Sequence, residues 1–262
     1  LVHTNENEVE VPDCLIAVIP NQERLEININ KQFTADDFLK LTWHGIPNIL
    51  SSDHLEWEGI QEASKSCEKP FTESPLNIDF SLADLPNLLD NDTFPLQKAI
   101  HQRRSAVSMD RQTRIDRSTF YQFLIKTIPE LNPIPFQSSP YESQVHLGLF
   151  VHRVNDLPAG LYFLIRNKSH LTNLRENFKK EFLWVKPEAC PEKLDLFLLE
   201  EGGYQSISKS VSCGQDIAGD GCFSLGMISA FEKPLKQYGS WFYPRLFWEC
   251  GAIGQVLYLQ AE

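Results

Sequence analysis

This chain lacks the features that would assign it quickly. No apolar run approaches the roughly 20 residues a membrane helix needs. The 262 residues hold six cysteines (Cys14, Cys67, Cys190, Cys213, Cys222 and Cys250), none at C-x-x-C spacing, and no Cys/His cluster has the spacing of a zinc site. Reduced, buried thiols in a cytoplasmic protein are therefore expected. Basic charge is scarce as well. Twenty-four Lys and Arg stand against 35 Asp and Glu, a net charge of −11 that argues against a nucleic-acid partner. No internal repeat or low-complexity stretch stands out. The polar, acidic first residues carry no signal-peptide pattern, and the chain begins with Leu1 rather than Met. What remains is ordinary: 42% hydrophobic and 11% aromatic residues, enough for a real core in one large or two modest domains.

Regular structure is legible along much of the chain. CLIAVIP (14–20) and LEININ (25–30) read as short strands, Thr34 as the cap of a helix start, and HLEWEGIQEAS (54–64) as a helix capped from Ser51, Ser52 or Asp53. Residues 1–72 offer too few strands for a core of their own, and residues 73–94 read as a linker. The turn signals begin just before it, with Pro70, Pro75, Pro86 and Pro95 among many Asp and Asn. A helix is predicted from Pro95 to the Arg103-Arg104-Ser105 tripeptide with Thr93 as its cap, and another over 115–128 capped by Asp116. HLGLFVHRV (146–154) and GLYFLIR (160–166) form a hairpin about Asn155-Asp156, with Leu147, Leu149 and Val151 on one face. Residues 194–202 read as a short strand or the entry to a helix, Ile207–Ala218 as a single helix, 222–232 as a strand and 243–262 as a buried helix. The class these elements imply is α+β, a mainly antiparallel sheet surrounded by helices.

Several short stretches could carry chemistry. Arg103, Arg104 and Ser105 would suit a phosphate or a polar ring edge, since guanidinium donates in a planar fork; a solvated helix C-terminus is the plainer alternative. Ser138 and Ser139 lie in a Ser-rich loop before the hairpin, which reads equally as a polar turn. Lys236 and Tyr238 could move a proton if burial or charge pulled their pKa toward neutrality; otherwise they belong to a turn before a helix. Cys213 is followed by Gly214, but no base is placed beside it, and it reads as buried filler. His146 and His152 flank a strand and read as satisfied structural histidines. Gly251 and Gly254, three apart on an apolar helix, permit close packing of another helix or of a cofactor ring.

Taken in order, Arg103-Arg104-Ser105, HLGLFVHRVNDLPAGLYFL (146–164), SCGQDIAGDGCFSLGM (212–227) and YGSWFYPRLFWECGAIGQVLYLQAE (238–262) resemble the FMN-dependent nitroreductase family, in particular its SagB-type dehydrogenase group and a tandem subgroup of it. The resemblance covers about residues 95–262. It implies a nitroreductase-like fold with a long central helix, and an oxidoreductase that passes hydride through the flavin. The reaction would be azoline oxidation in a peptide, or quinone or nitro reduction. It also implies FMN held by Arg103, Arg104, Ser105, Ser138 and Ser139, with Tyr238 and Lys236 as acid/base groups, although Gln237 separates that pair. The substrate would be a small molecule or a peptide, with neither nucleic acid nor membrane as partner. A homodimer or an intrachain pseudo-dimer would build the site. On this reading residues 1–72 are the remnant of a preceding half or a packing arm, and residues 95–262 a domain lacking the Gly-rich end that closes over the flavin phosphate. A flavin-free scaffold that supports an active half is the competing reading.

Overall fold

The computed structural model describes residues 4–5, 8–9, 40, 42, 44, 58–70, 96–136, 138–139 and 141–261. The strands expected at 14–20 and 25–30, the helix start at Thr34, the caps at 51–53 and Thr93, and the whole 73–94 linker lie outside these residues. The chain divides into two compact units, Leu1–Ser66 with Pro70–Asn77, and Cys67–Lys69 with Ile78–Glu262. In the first unit, β1 (Thr4–Asn5) and β2 (Glu8–Val9) pair antiparallel, and α1 (Ile60–Ser66) is a short helix with no buried residue.

The second unit is built on four antiparallel strands: β3 (Val145–Val151), β4 (Gly160–Leu164), β5 (Leu196–Glu201) and β6 (Phe223–Ser229), in the order β5-β4-β3-β6. β3 and β4 form the expected hairpin, in register from Leu147 opposite Leu164 to Val151 opposite Gly160. The period-2 alternation sorts their side chains onto two faces. Leu147, Leu149, Tyr162 and Leu164 join a larger core with Phe120, Leu124 and Ile253. Phe163 and Ile165 point the other way, into a smaller cluster with Leu174 and Leu199, which Phe178, Trp184 and Phe197 extend.

The helices cover these faces unevenly. After α2 (Leu96–Gln102), α3 (Arg117–Ile125) buries Phe120, Tyr121 and Leu124. Asp116 sits at the N-cap of α3 with extended backbone but makes no capping bond; its carboxylate accepts from Asn155 Nδ2 at 2.9 Å. α4 (Leu171–Asn177) lies on the second cluster after a 3-10 turn at Lys168–His170. The single helix expected over 207–218 is two, α5 (Gln205–Val211) and α6 (Ile217–Asp220). The break falls at Cys213 and Gly214, whose φ values are 56° and 75°. Gly214 N–H closes the first helix on the Lys209 carbonyl at 2.8 Å, as a left-handed C-terminal glycine does. Cys213 is consequently exposed rather than buried. After α7 (Glu232–Tyr238) comes α8 (Tyr243–Gln260), the longest helix described, with 18 residues.

α8 departs from expectation in its burial. Only Leu246 and Ile253 are buried, while Tyr243 is 42% and Phe247 60% exposed. Its composition is apolar nearly all round, but the sheet lies under one face only. Among the described residues no helix is long and apolar enough to cross a membrane.

Candidate functional site

Arg103, Arg104 and Ser105 follow the last turn of α2, which is anchored by buried Ala99. Arg103 N–H donates to the Ala99 carbonyl at 3.0 Å. Arg104 Nη1 donates to the carbonyls of His101 at 3.0 Å and Arg103 at 2.7 Å, satisfying helix-end acceptors and setting its charge at the negative end of the helix dipole. The Arg103 guanidinium lies 4.6 Å from the centre of the Tyr258 ring, near the end of α8.

Between these two elements is an open cavity of about 530 Å³, lined by Ile100, Arg103, Arg104, Ser105, Gly254, Gln255 and Tyr258. Its chemistry is two guanidiniums, a hydroxyl, a carboxamide and an aromatic ring. A Cβ at Gly254 would meet nothing within 4 Å, and the same holds for Gly251. Among the described residues no helix packs into those gaps, so the small residues leave a shelf along α8. This donor set fits a phosphate-bearing, partly aromatic ligand such as FMN: forked cations for the anion, Ser105 and Gln255 for polar edges, and a backbone a flat ring can approach.

The other sequence-predicted site residues stand elsewhere. Ser138 and Ser139 are exposed and do not line this cavity; Ser138 Oγ donates to the Pro135 carbonyl at 2.7 Å. Lys236 is on the exposed side of α7, paired with Glu232 one turn earlier at 3.2 Å. Tyr238 joins an aromatic group with Tyr141 at 5.3 Å and stacks on Phe242 at 4.6 Å. Phe242 precedes α8 and Tyr258 lies sixteen residues on, which at 1.5 Å per residue is about 24 Å along the helix. Within one chain, the Tyr238–Lys236 pair and the Arg103–Arg104 cavity occupy opposite ends of α8.

The cysteines and histidines behave structurally. Burial pushes the Cys190 thiol up to about 11 and raises Cys222 and Cys250, the opposite of nucleophile activation. Among the described residues no group of three His, Cys, Asp or Glu side chains could hold a metal ion. His152 Nε2 lies 3.0 Å from the Ala218 carbonyl and 3.3 Å from Ser208 Oγ, but Ser208 is fully buried, out of reach of a substrate.

Sequence reasoning missed the pair that fixes α8 to the sheet. Arg166, fully buried at its side chain, donates Nε to the Thr127 carbonyl at 2.7 Å and Nη1 to the Val145 carbonyl at 2.9 Å, and forms an ion pair with Glu249. The second Glu249 oxygen accepts Gln144 N–H at 2.9 Å. Burial pulls the Arg166 pKa below its usual value, and Glu249 opposes the shift. The available signal was one cation closing the apolar strand GLYFLIR and one anion inside an apolar helix.

No family model matches the chain, and no curated protein matches it. Among solved structures, 63% of the chain aligns with 30% of a protein described as a "putative nitroreductase" from Anabaena variabilis, at 18% identity and a TM-score of 0.45. The chain thus spans less than a third of that protein. The α+β class rests on the sheet order and helices described above, not on this likeness.

Proposed function

We propose that this chain is part of an FMN-dependent oxidoreductase of the nitroreductase type, within its SagB-type group. One observation carries the proposal: the Arg103-Arg104-Ser105 tripeptide, which that resemblance marks for the cofactor, lines the same cavity as Gly254 of α8. FMN supplies hydride transfer when bound. The residues of this chain bind and orient it. Arg103 and Arg104 pair with the phosphate, Ser105 and Gln255 hold polar edges, and Tyr258 and Gly254 offer an apolar shelf. Lys236 and Tyr238 are proposed to hold the proton exchanged with substrate, an azoline-bearing peptide, a quinone or a nitroaromatic.

That assignment requires two copies, or two halves of a longer chain. Tyr243, Phe247, Gly251, Gly254 and Tyr258 follow one another at helical spacing along α8. An antiparallel two-fold pairing of such helices, centred on Phe247, would set Tyr243 against Gly251 and leave Gly254 open to the flavin. It would also carry the Tyr238 end of one copy to the Arg103 cavity of the other.

A flavin-free scaffold is the second reading, favoured by the separation of the two residue sets and by the exposed Lys236–Glu232 pair. Titration of the purified protein with FMN decides between them. Uptake with a flavin absorption band, lost in the Arg103→Ala plus Arg104→Ala variant, supports the enzyme. Protein that stays colourless in excess FMN supports the scaffold.

A further inference from the structure

His146 sits on β3 at 2% exposure, its ring centre 6.1 Å from that of Phe163. Its Nδ1 accepts the backbone N–H of Arg166 at 3.1 Å, so the proton of the neutral ring is on Nε2. Nε2 lies 3.1 Å from His170 Nδ1 and donates to it, which leaves the His170 proton on its own Nε2. The hydrogen bonds run one way, from Arg166 N–H to His146 to His170, and no acceptor in the line is left open. A second proton on His146 would oppose the Arg166 N–H. A proton on His170 Nδ1 would oppose the Nε2–H of His146. Either charge breaks one of the two bonds.

The charged groups around the pair weigh in both directions. The Arg166 guanidinium disfavours a charge on His146, and Lys233 of α7 disfavours one on His170. Glu142 and Glu249 favour a charge on His170. Burial outweighs them: it is the largest cause in pulling His146 down to about 3, ahead of His170 and Arg166, and the largest cause in lowering His170.

We propose that His146 and His170 form a proton-released clasp that holds the Lys168–His170 turn and α4 against the sheet at neutral pH and lets that segment open in acid. The histidine values in the fold lie below the ordinary 6.5. The clasp therefore contributes fully above about pH 6.5, and its contribution is lost as pH falls from there toward 3. What opens is defined. α4 brings Leu174 to the second cluster, and Arg175 lies 5.2 Å from the Trp184 ring. The clasp involves no cofactor and stands apart from the flavin reading.

Amide hydrogen exchange of α4, corrected for intrinsic rates, tests it. At pH 5.5 a freed histidine with an ordinary pKa favours the open segment about tenfold, and two freed histidines about a hundredfold. Opening of α4 should rise by that range between pH 7.5 and 5.5, while α3 stays unchanged. In His170→Gln the side-chain oxygen can still accept from His146 but cannot charge, and the rise should fall to tenfold or less. Imidazole resonances of the wild-type protein provide an independent check. Ordinary midpoints near 6.5 for both histidines, with α4 protection constant across that range, would overturn the proposal.

Discussion

Arg166 and Glu249, 83 residues apart in sequence, meet as an ion pair with the arginine side chain fully buried and the glutamate 15% exposed. The pair joins the end of β4 to the middle of α8, whose later residues form the cavity wall. Removing one charge strands the other. Glu249→Gln should destabilise the protein by about 3–5 kcal/mol, read from urea unfolding, and Arg166→Met plus Glu249→Leu should cost less than the sum of the single changes. Additive losses would mean that the two residues act separately.

The arginine tripeptide lends itself to a two-readout experiment. Arg103→Ala plus Arg104→Ala should weaken FMN binding by a few kcal/mol, from charge-assisted bonds worth roughly 1.5–3 kcal/mol each. The apo thermal midpoint should move much less, because Arg104 is exposed and the half-buried Arg103 faces a single ring, Tyr258. Parallel losses in calorimetric binding and in melting would make the arginines structural.

Gly254 offers a separation in the opposite direction. A helix-interior glycine costs about 0.8–1 kcal/mol relative to alanine, and a Cβ there meets no atom within 4 Å. Gly254→Ala should therefore raise the apo melting temperature while lowering FMN affinity. Gly160→Ala should do only harm, by about 1–3 kcal/mol, since its Cβ would fall 2.4 Å from the Glu200 carbonyl oxygen. Unfolding curves of the two variants give the comparison directly.

Phe247 carries the assembly prediction. At 60% exposure on an apolar helix it should be covered in a two-fold form. Phe247→Glu should shift a dimer toward monomer in sedimentation velocity and lower FMN uptake together with it. A wild-type chain that is monomeric and fully loaded with FMN would remove the need for a second copy.

The strands were readable because alternation needs only neighbours: Leu147, Leu149 and Val151 declare one face in a seven-residue window. The break at Cys213 was readable too, since Gly214 supplies a helix-stop signal that a purely periodic reading of 207–218 passes over. Other features depend on distance. Nothing local to Glu249 names Arg166 as its partner, and the apolar count of α8 does not say which side the sheet covers. The cavity was half legible: Arg103, Arg104, Ser105 and Gly254 stood out, but Tyr258 enters only because the end of α8 returns to α2. Lys236 and Tyr238 were joined to the site by the family resemblance, and folding sets them at the far end of that helix.

β6 has a practical consequence for the molecule in concentrated solution. Its seven residues, FSLGMIS, carry neither charge nor proline, and among the described residues no strand pairs with its outer side. Such a rim recruits other chains, so crowding rather than heat should limit how long preparations stay clear. One lysine at exposed Gly226 would act as a gatekeeper, repelling a second rim while leaving the strand's hydrogen bonds to β3 in place.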